Sequence, residues 1–248
     1  MHTLFHPLLA LAIGIITFVS GLWLMYRPST SAVYRWGDHL ISGVFLGIGF
    51  FHLLPDAINM MKAGGYSRPH ETVYIVFILM IGLLVLIEQS IQRGKSHHPQ
   101  MIGFLVTVAL CIHAILGGIA LGLNSLLMDT LIIFIALSVH KISDSFALIL
   151  NLRRSQASLP LMLILLSLFS VMTPLGMMLG EYGTYTFQGQ QGLYYQGIFN
   201  AMAAGTFCYI GTMDSVLRKW ISRQSIASHA LVLWMSGMSL MGLLAIWV

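Results

Sequence analysis

Residues 101–124, MIGFLVTVALCIHAILGGIALGLN, and residues 127–151, LMDTLIIFIALSVHKISDSFALILN, set how the rest of the chain is read. At about 1.5 Å per residue, either is long enough to cross the ~30 Å hydrocarbon core of a bilayer as an α-helix. Six further stretches of the same kind flank them: 7–25, 39–61, 70–92, 159–181, 193–217 and 226–248. The eight nearly fill the 248 residues, so residues 1–248 read as one transmembrane domain with no room for a soluble one. Helix breakers fall between the stretches: Arg27-Pro28, Gly64-Gly65, Pro69, Gly94, Pro99 and Gly189-Gln190-Gln191-Gly192. The predicted class is an all-α polytopic membrane protein of eight spans, with no strand alternation. The first span lacks a charged start and a small-residue cleavage site, so it reads as retained rather than as a signal peptide.

Composition points the same way. Hydrophobic residues make up 57% and charged residues only 8% of the chain, against about 25% charged in a soluble domain. So few charges cannot coat a soluble surface, which excludes an ordinary cytosolic enzyme and a disordered chain. A net charge of +4 spread this thinly makes no basic patch, so no nucleic-acid partner is expected. Cys111 and Cys208 lie in apolar runs and form neither a CxxC pair nor a disulfide framework. The 24 glycines suit helices that approach closely in lipid.

Loop charges orient the spans. The loops after spans 1, 3, 5 and 7 hold Arg27, Arg35, Arg93, Lys95, Arg153, Arg154, Arg218, Lys219 and Arg223, whereas those after spans 2, 4 and 6 hold only Lys62 and Arg68. Nine bases against two place both termini outside the cytosol.

Ionisable groups within spans cost roughly 2.5–3.5 kcal/mol each on insertion scales, so the ones that exist matter. They are His52, Asp56, Glu88, His113, His140, Lys141, Asp144 and Asp214. His113 and His140 fall near the centres of spans 4 and 5, at one level in the membrane. Asp144, four residues after His140, shares its helix face and lies roughly 6 Å nearer the cytosol. Two imidazoles and a carboxylate suit Zn²⁺ or a similar divalent ion, while Ca²⁺ or Mg²⁺ sites would be all oxygen. The plainer reading takes each histidine as an interhelical hydrogen bonder.

His52 and Asp56 repeat the four-residue spacing in span 2, with Pro55 between them to disturb the helix ladder. Ordered by depth, Asp56 lies outside, Asp144 near the middle and Asp214 inside. Asp214 also reads as an end charge beside Arg218 and Lys219. Lys141, three residues before Asp144, can neutralise it, either as a plain ion pair or as a fixed positive charge in place of a second cation. His97 and His98, in the loop 93–100, are candidates to receive a metal on the cytosolic side, or are simply loop residues.

In order along the chain, span 2 contains Gly43-Val-Phe-Leu and His52-Leu-Leu-Pro55-Asp56-Ala, and span 3 ends in Glu88-Gln89. Span 4 contains His113 and Gly118-Ile-Ala-Leu-Gly122, span 5 His140-Lys141-Ile-Ser-Asp144-Ser-Phe-Ala, span 6 Pro174-Leu-Gly176, and span 7 Ala204-Gly-Thr-Phe-Cys-Tyr-Ile-Gly and Asp214. This series resembles the ZIP family of divalent-metal transporters over nearly the whole chain. The resemblance implies an eight-helix transporter, a homodimer, in which helices 1, 4, 5 and 6 move against helices 2, 3, 7 and 8. It implies a metal site at His113, His140 and Asp144, an entrance acid at Asp56 and an exit acid at Asp214. With Lys141 where other members carry an acid, it implies one bound metal. The ion is cargo (Zn²⁺, or else Fe²⁺, Mn²⁺ or Cd²⁺), and no resident cofactor is expected.

The chain departs from that family where a helix-4 carboxylate is usual: the position holds Gly117, while Asp144 stands where glutamate is frequent. Three readings follow. The first is uptake of a divalent metal into the cytosol by alternating access, across a plasma membrane such as a bacterial inner membrane. In it, uptake falls at acid pH as protons compete for the imidazoles. The second is a non-transporting or regulatory member. The third, an intramembrane metal-dependent hydrolase, lacks an HExxH motif and a Ser/His/Asp arrangement, so the protein is not expected to be an enzyme.

Overall fold

The computed structural model describes residues 2–28, 32–92, 99–123, 127–184, 189–213 and 227–245. Among them there is no strand. Helix α1 spans His2–Met25. Helix α2, Ala32–Gly47, passes through a π-helical segment, Ile48–Leu53, into α3, Leu54–Ala63. There follow α4 (Pro69–Gln92), α5 (Pro99–Gly122), α6 (Leu127–Arg154), α7 (Leu159–Thr184), α8 (Gln190–Met213) and α9 (Ser228–Leu244). Over the described residues, each predicted stretch falls on one helix, the second on α2 to α3.

The breakers act through backbone chemistry. Pro69 and Pro99 open α4 and α5, where their missing N–H is no loss. Gly65 and Gly189 take φ of +77° and +59°, which glycine reaches without a Cβ clash. Pro55 acts more gently. Its ring crowds the carbonyl four residues back, and the turn before it widens to π-helix, so α3 restarts with Pro55 in its first turn. Pro7 and Pro174 lie within α1 and α7, which run on through them.

The exterior is greasy, and inside, a minority of polar groups lies buried among apolar clusters. Leu8, Leu11, Ile15, Val19 and Trp23 form an exposed stripe on α1, and Ile164, Leu168, Val171, Leu175 and Met178 form another on α7. Lys141, Asp144, Ser145 and Thr206 are fully buried. Five helices are long and apolar enough to cross a membrane: Pro7–Met25, Trp36–Ala63, Pro69–Ile91, Gly103–Gly122 and Leu159–Gly183. Helices α6 and α8, which carry seven of the fifteen buried polar or charged residues among those described, are not among these five, and Ser228–Leu244 is apolar but shorter. The chain is thus a multi-pass membrane protein.

The helices pack in two groups. In one, α1, α5, α6 and α7 contact one another; in the other, α2 with α3, α4, α8 and α9 do. The groups meet chiefly where α5 lies on α8, with a smaller contact of α2 on α6. In span order these are the first, fourth, fifth and sixth against the second, third, seventh and eighth.

Glycines let α5 and α7 touch backbone to backbone. A Cβ on Gly118 would come within 2.4 Å of the Thr173 carbonyl oxygen, and one on Gly176 within 2.3 Å of that of Ile115. Gly176→Val is therefore expected to cost about 3 kcal/mol or more by forcing the helices apart. Gly82, with nothing within 4 Å of its Cβ position, is the control: Gly82→Ala leaves stability unchanged or slightly raised. Unfolding midpoints in mixed detergent micelles compare the two variants.

Candidate metal site

His113 projects from the middle of α5 and is 2% exposed. Its Nδ1 lies 3.1 Å from Thr206 Oγ1 on α8. The Thr206 hydroxyl donates its one proton to the Ala203 carbonyl at 2.6 Å, so toward the imidazole it can only accept. His113 Nδ1 therefore carries the ring proton, and Nε2 presents a lone pair. That Nε2 is buried with no hydrogen-bond partner among the described residues. An oriented imidazole with one nitrogen held and the other a bare donor is the arrangement a metal ligand requires.

His140, on α6, lies 5.7 Å from His52 between ring centroids. Two imidazoles sharing one ion through Zn–N bonds of about 2.0–2.1 Å have ring centres roughly 5 Å apart by that geometry. His52 sits in the π-helical segment, and its Nδ1 is 3.4 Å from Asp56 Oδ2. A cavity of about 50 Å³ opens among these groups. Its lining includes His52, Asp56, His113, His140, Met60 and Asn200. That volume holds a few water-sized particles. Asp56, with 37% of its side chain exposed, marks the open end. The Phe207 ring neighbours both deeper histidines, 3.6 Å from His113 and 6.3 Å from His140 between centroids. Phe45 backs it in a stack at 4.9 Å.

Gly117 contributes a wall with no side chain. Among the described residues, a Cβ there would meet only Leu137, at 3.8 Å, so space stands where a carboxylate would project.

Of the two partners its spacing offers, Asp144 takes Lys141, and it stands outside the cavity. It is fully buried, its Oδ2 accepts from Lys141 Nζ at 2.9 Å, and it is not among the residues lining the cavity. Lys141 also sits 5.2 Å over the Phe169 ring of α7. The physical reason is charge: a lysine without water draws the nearest carboxylate, and three residues along a helix is within reach. Asp144 Oδ1 is left without a hydrogen-bond partner among the described residues. The structure thus gathers His52, Asp56, His113 and His140 and sets Asp144 with Lys141 apart. Among the described residues, no three His, Cys, Asp or Glu side chains stand close enough to clasp one ion. Asp214, His97 and His98 lie outside the described residues.

Four contributors escaped the sequence reading, which surveyed only ionisable groups inside the spans. Thr206 and Phe207 belong to the Ala204–Gly211 stretch, but nothing local shows that they reach His113. Asn200 is an amide in an apolar span, a signal that was available. Met60 follows Asp56 by four residues and so shares its face. Thr206→Val keeps the shape and removes the hold on Nδ1. Zn²⁺ affinity is expected to fall about 10–100-fold, measured by competition with a chromophoric chelator, and Thr206→Ser should retain it.

The ZIP Zinc transporter family model matches residues 87–245, well over half of the chain. Protein zntD of Dictyostelium discoideum is 30% identical over 200 residues, covering 78% of this chain and 26% of that protein. Zinc transporter 3 of Arabidopsis thaliana is 24% identical over 243 residues, covering 83% and 72% respectively. Zinc transporter ZIP1 of Danio rerio is 33% identical over 118 residues, covering 47% and 38%. The chain thus spans about a quarter of the Dictyostelium protein's length and well under half of the zebrafish one. On the family match, and with a histidine-lined cavity inside a bundle of apolar helices, this chain belongs to the ZIP zinc transporter family.

Proposed function

We propose that this protein carries Zn²⁺, or else Fe²⁺, Mn²⁺ or Cd²⁺, across a plasma membrane into the cytosol by alternating access. The observation that carries the proposal is His113 Nε2, a buried lone pair with no hydrogen-bond partner among the described residues, from a residue that lines a small cavity shared with His140, His52 and Asp56. The zinc transporters it resembles support the choice of cargo. In this reading all eight helical stretches span, both termini lie outside, and the chain works as a homodimer in a bacterial inner membrane. The ion enters past Asp56, exchanges water for His52 and His140, and passes to His113. Asp144 joins only if Lys141 releases it. Asp214, with His97 and His98 beyond it, receives the ion on the cytosolic side.

The geometry also favours a second reading. The space at Gly117 means that helix α5 offers one ligand instead of two, which suits a member that binds metal weakly and does not move it. Proteoliposomes loaded with a zinc-sensitive dye separate the two. Influx several-fold above protein-free vesicles is expected; influx equal to theirs, from a folded protein, would leave the second reading standing.

A further inference from the structure

His52, Asp56 and Met60 follow one another at four-residue steps and all line the cavity. Facing them from α8 is Asn200, only 7% exposed and part of the same lining. Its Nδ2 donates to Met60 Sδ at 3.4 Å. A thioether has no proton to give, so the arm of the amide that faces the sulfur is the NH₂, and the oxygen is the opposite arm of the same planar group. Met60 supplies the only sulfur among the described residues that line the cavity. A thioether is a soft donor, whereas imidazole, carboxylate and amide oxygen are borderline or hard.

We propose that Asn200 is a specificity-determining residue: by holding the Met60 sulfur in a hydrogen bond, it withholds the one soft donor from the passing ion and so favours Zn²⁺ over the softer Cd²⁺. The inference rests on reading the cavity as an ion site, as proposed above. An ion that wants sulfur must first break the amide contact, and only the softer ion gains by doing so. Removing the amide lifts that barrier for Cd²⁺ and leaves the imidazoles and the carboxylate that bind Zn²⁺ in place.

The test measures Zn²⁺ and Cd²⁺ dissociation constants on the purified full chain, by competition with a chromophoric chelator. It uses wild type, Asn200→Ala, Met60→Leu and the double variant. Asn200→Ala is expected to raise the Cd²⁺-to-Zn²⁺ affinity ratio about five- to tenfold, the size of releasing one weak hydrogen bond. In the double variant the ratio should return to that of Met60→Leu. Asn200→Leu, close in volume and apolar, repeats the measurement if alanine leaves a destabilising void. An unmoved ratio in protein that binds both ions overturns the role of Asn200. So does a raised ratio that survives in the double variant, since sulfur is then not its source. Wild type that binds neither ion overturns the ion-site reading itself, and this inference with it.

Discussion

Replacing His140 with alanine is expected to bring zinc influx down to that of protein-free vesicles. His140 is 5% exposed, lines the cavity, and stands 5.7 Å from His52 between ring centroids. It is the group best placed to share an ion between the two helix groups, because His52 belongs to one and His140 to the other. Disturbing a neighbour of a metal ligand already costs about 10–100-fold in affinity, so loss of a ligand itself should cost at least that much. The fold should survive, because the Lys141–Asp144 pair one turn away is untouched and the helix gains a better helix former. Gel filtration of the purified variant checks this. His113→Ala gives the same result if both imidazoles are needed. Influx by His140→Ala equal to that of wild type would rule out the site.

The second large effect concerns the opposite end of the contact between the helix groups. Arg154, at the end of α6, grips Asp38 of α2 through two hydrogen bonds of 2.9 and 2.5 Å. Close by, Tyr34 of α2 donates to the Leu24 carbonyl at the end of α1 at 2.7 Å, and Arg153 lies 4.8 Å over the Tyr34 ring. These contacts close the end that the loop charges assign to the cytosol, while Asp56 marks the open end. Arg154 has 51% of its side chain exposed, so the ion pair itself contributes about 1 kcal/mol or less. Its position matters more than its energy: under the proposed alternating access, the two groups part here for an ion to leave. Joining Asp38→Cys to Arg154→Cys with a short, reducible bifunctional thiol reagent is expected to stop influx, and reductant should restore it. Full influx in the cross-linked protein would show that these ends need not separate.

The legible part of this protein was its run of apolar stretches, their breaks and the identity of the polar residues within them. A stretch of about 20 apolar residues has one low-energy answer in lipid, a helix that satisfies its own backbone, and proline and glycine punctuate it through their own covalent geometry. The paired spacings of His52 with Asp56 and of Lys141 with Asp144 were equally readable, because a helix places such residues side by side. That His113 and His140 stand at one level was readable; that Asn200, Met60 and Phe207 share their cavity and Asp144 does not was not. Spacing put Asp144 beside His140, yet the buried ammonium of Lys141 claims its carboxylate. A π-helical turn ahead of Pro55 sets where His52 points, and Thr206, Asn200 and Phe207 arrive from a helix some 90 residues along the chain from His113. Local sequence determines helix and burial because both are decided within a few turns. The tertiary structure alone decided which side chains line the cavity, because the direction of a side chain at a helix crossing depends on the charges and rings the neighbouring helix presents.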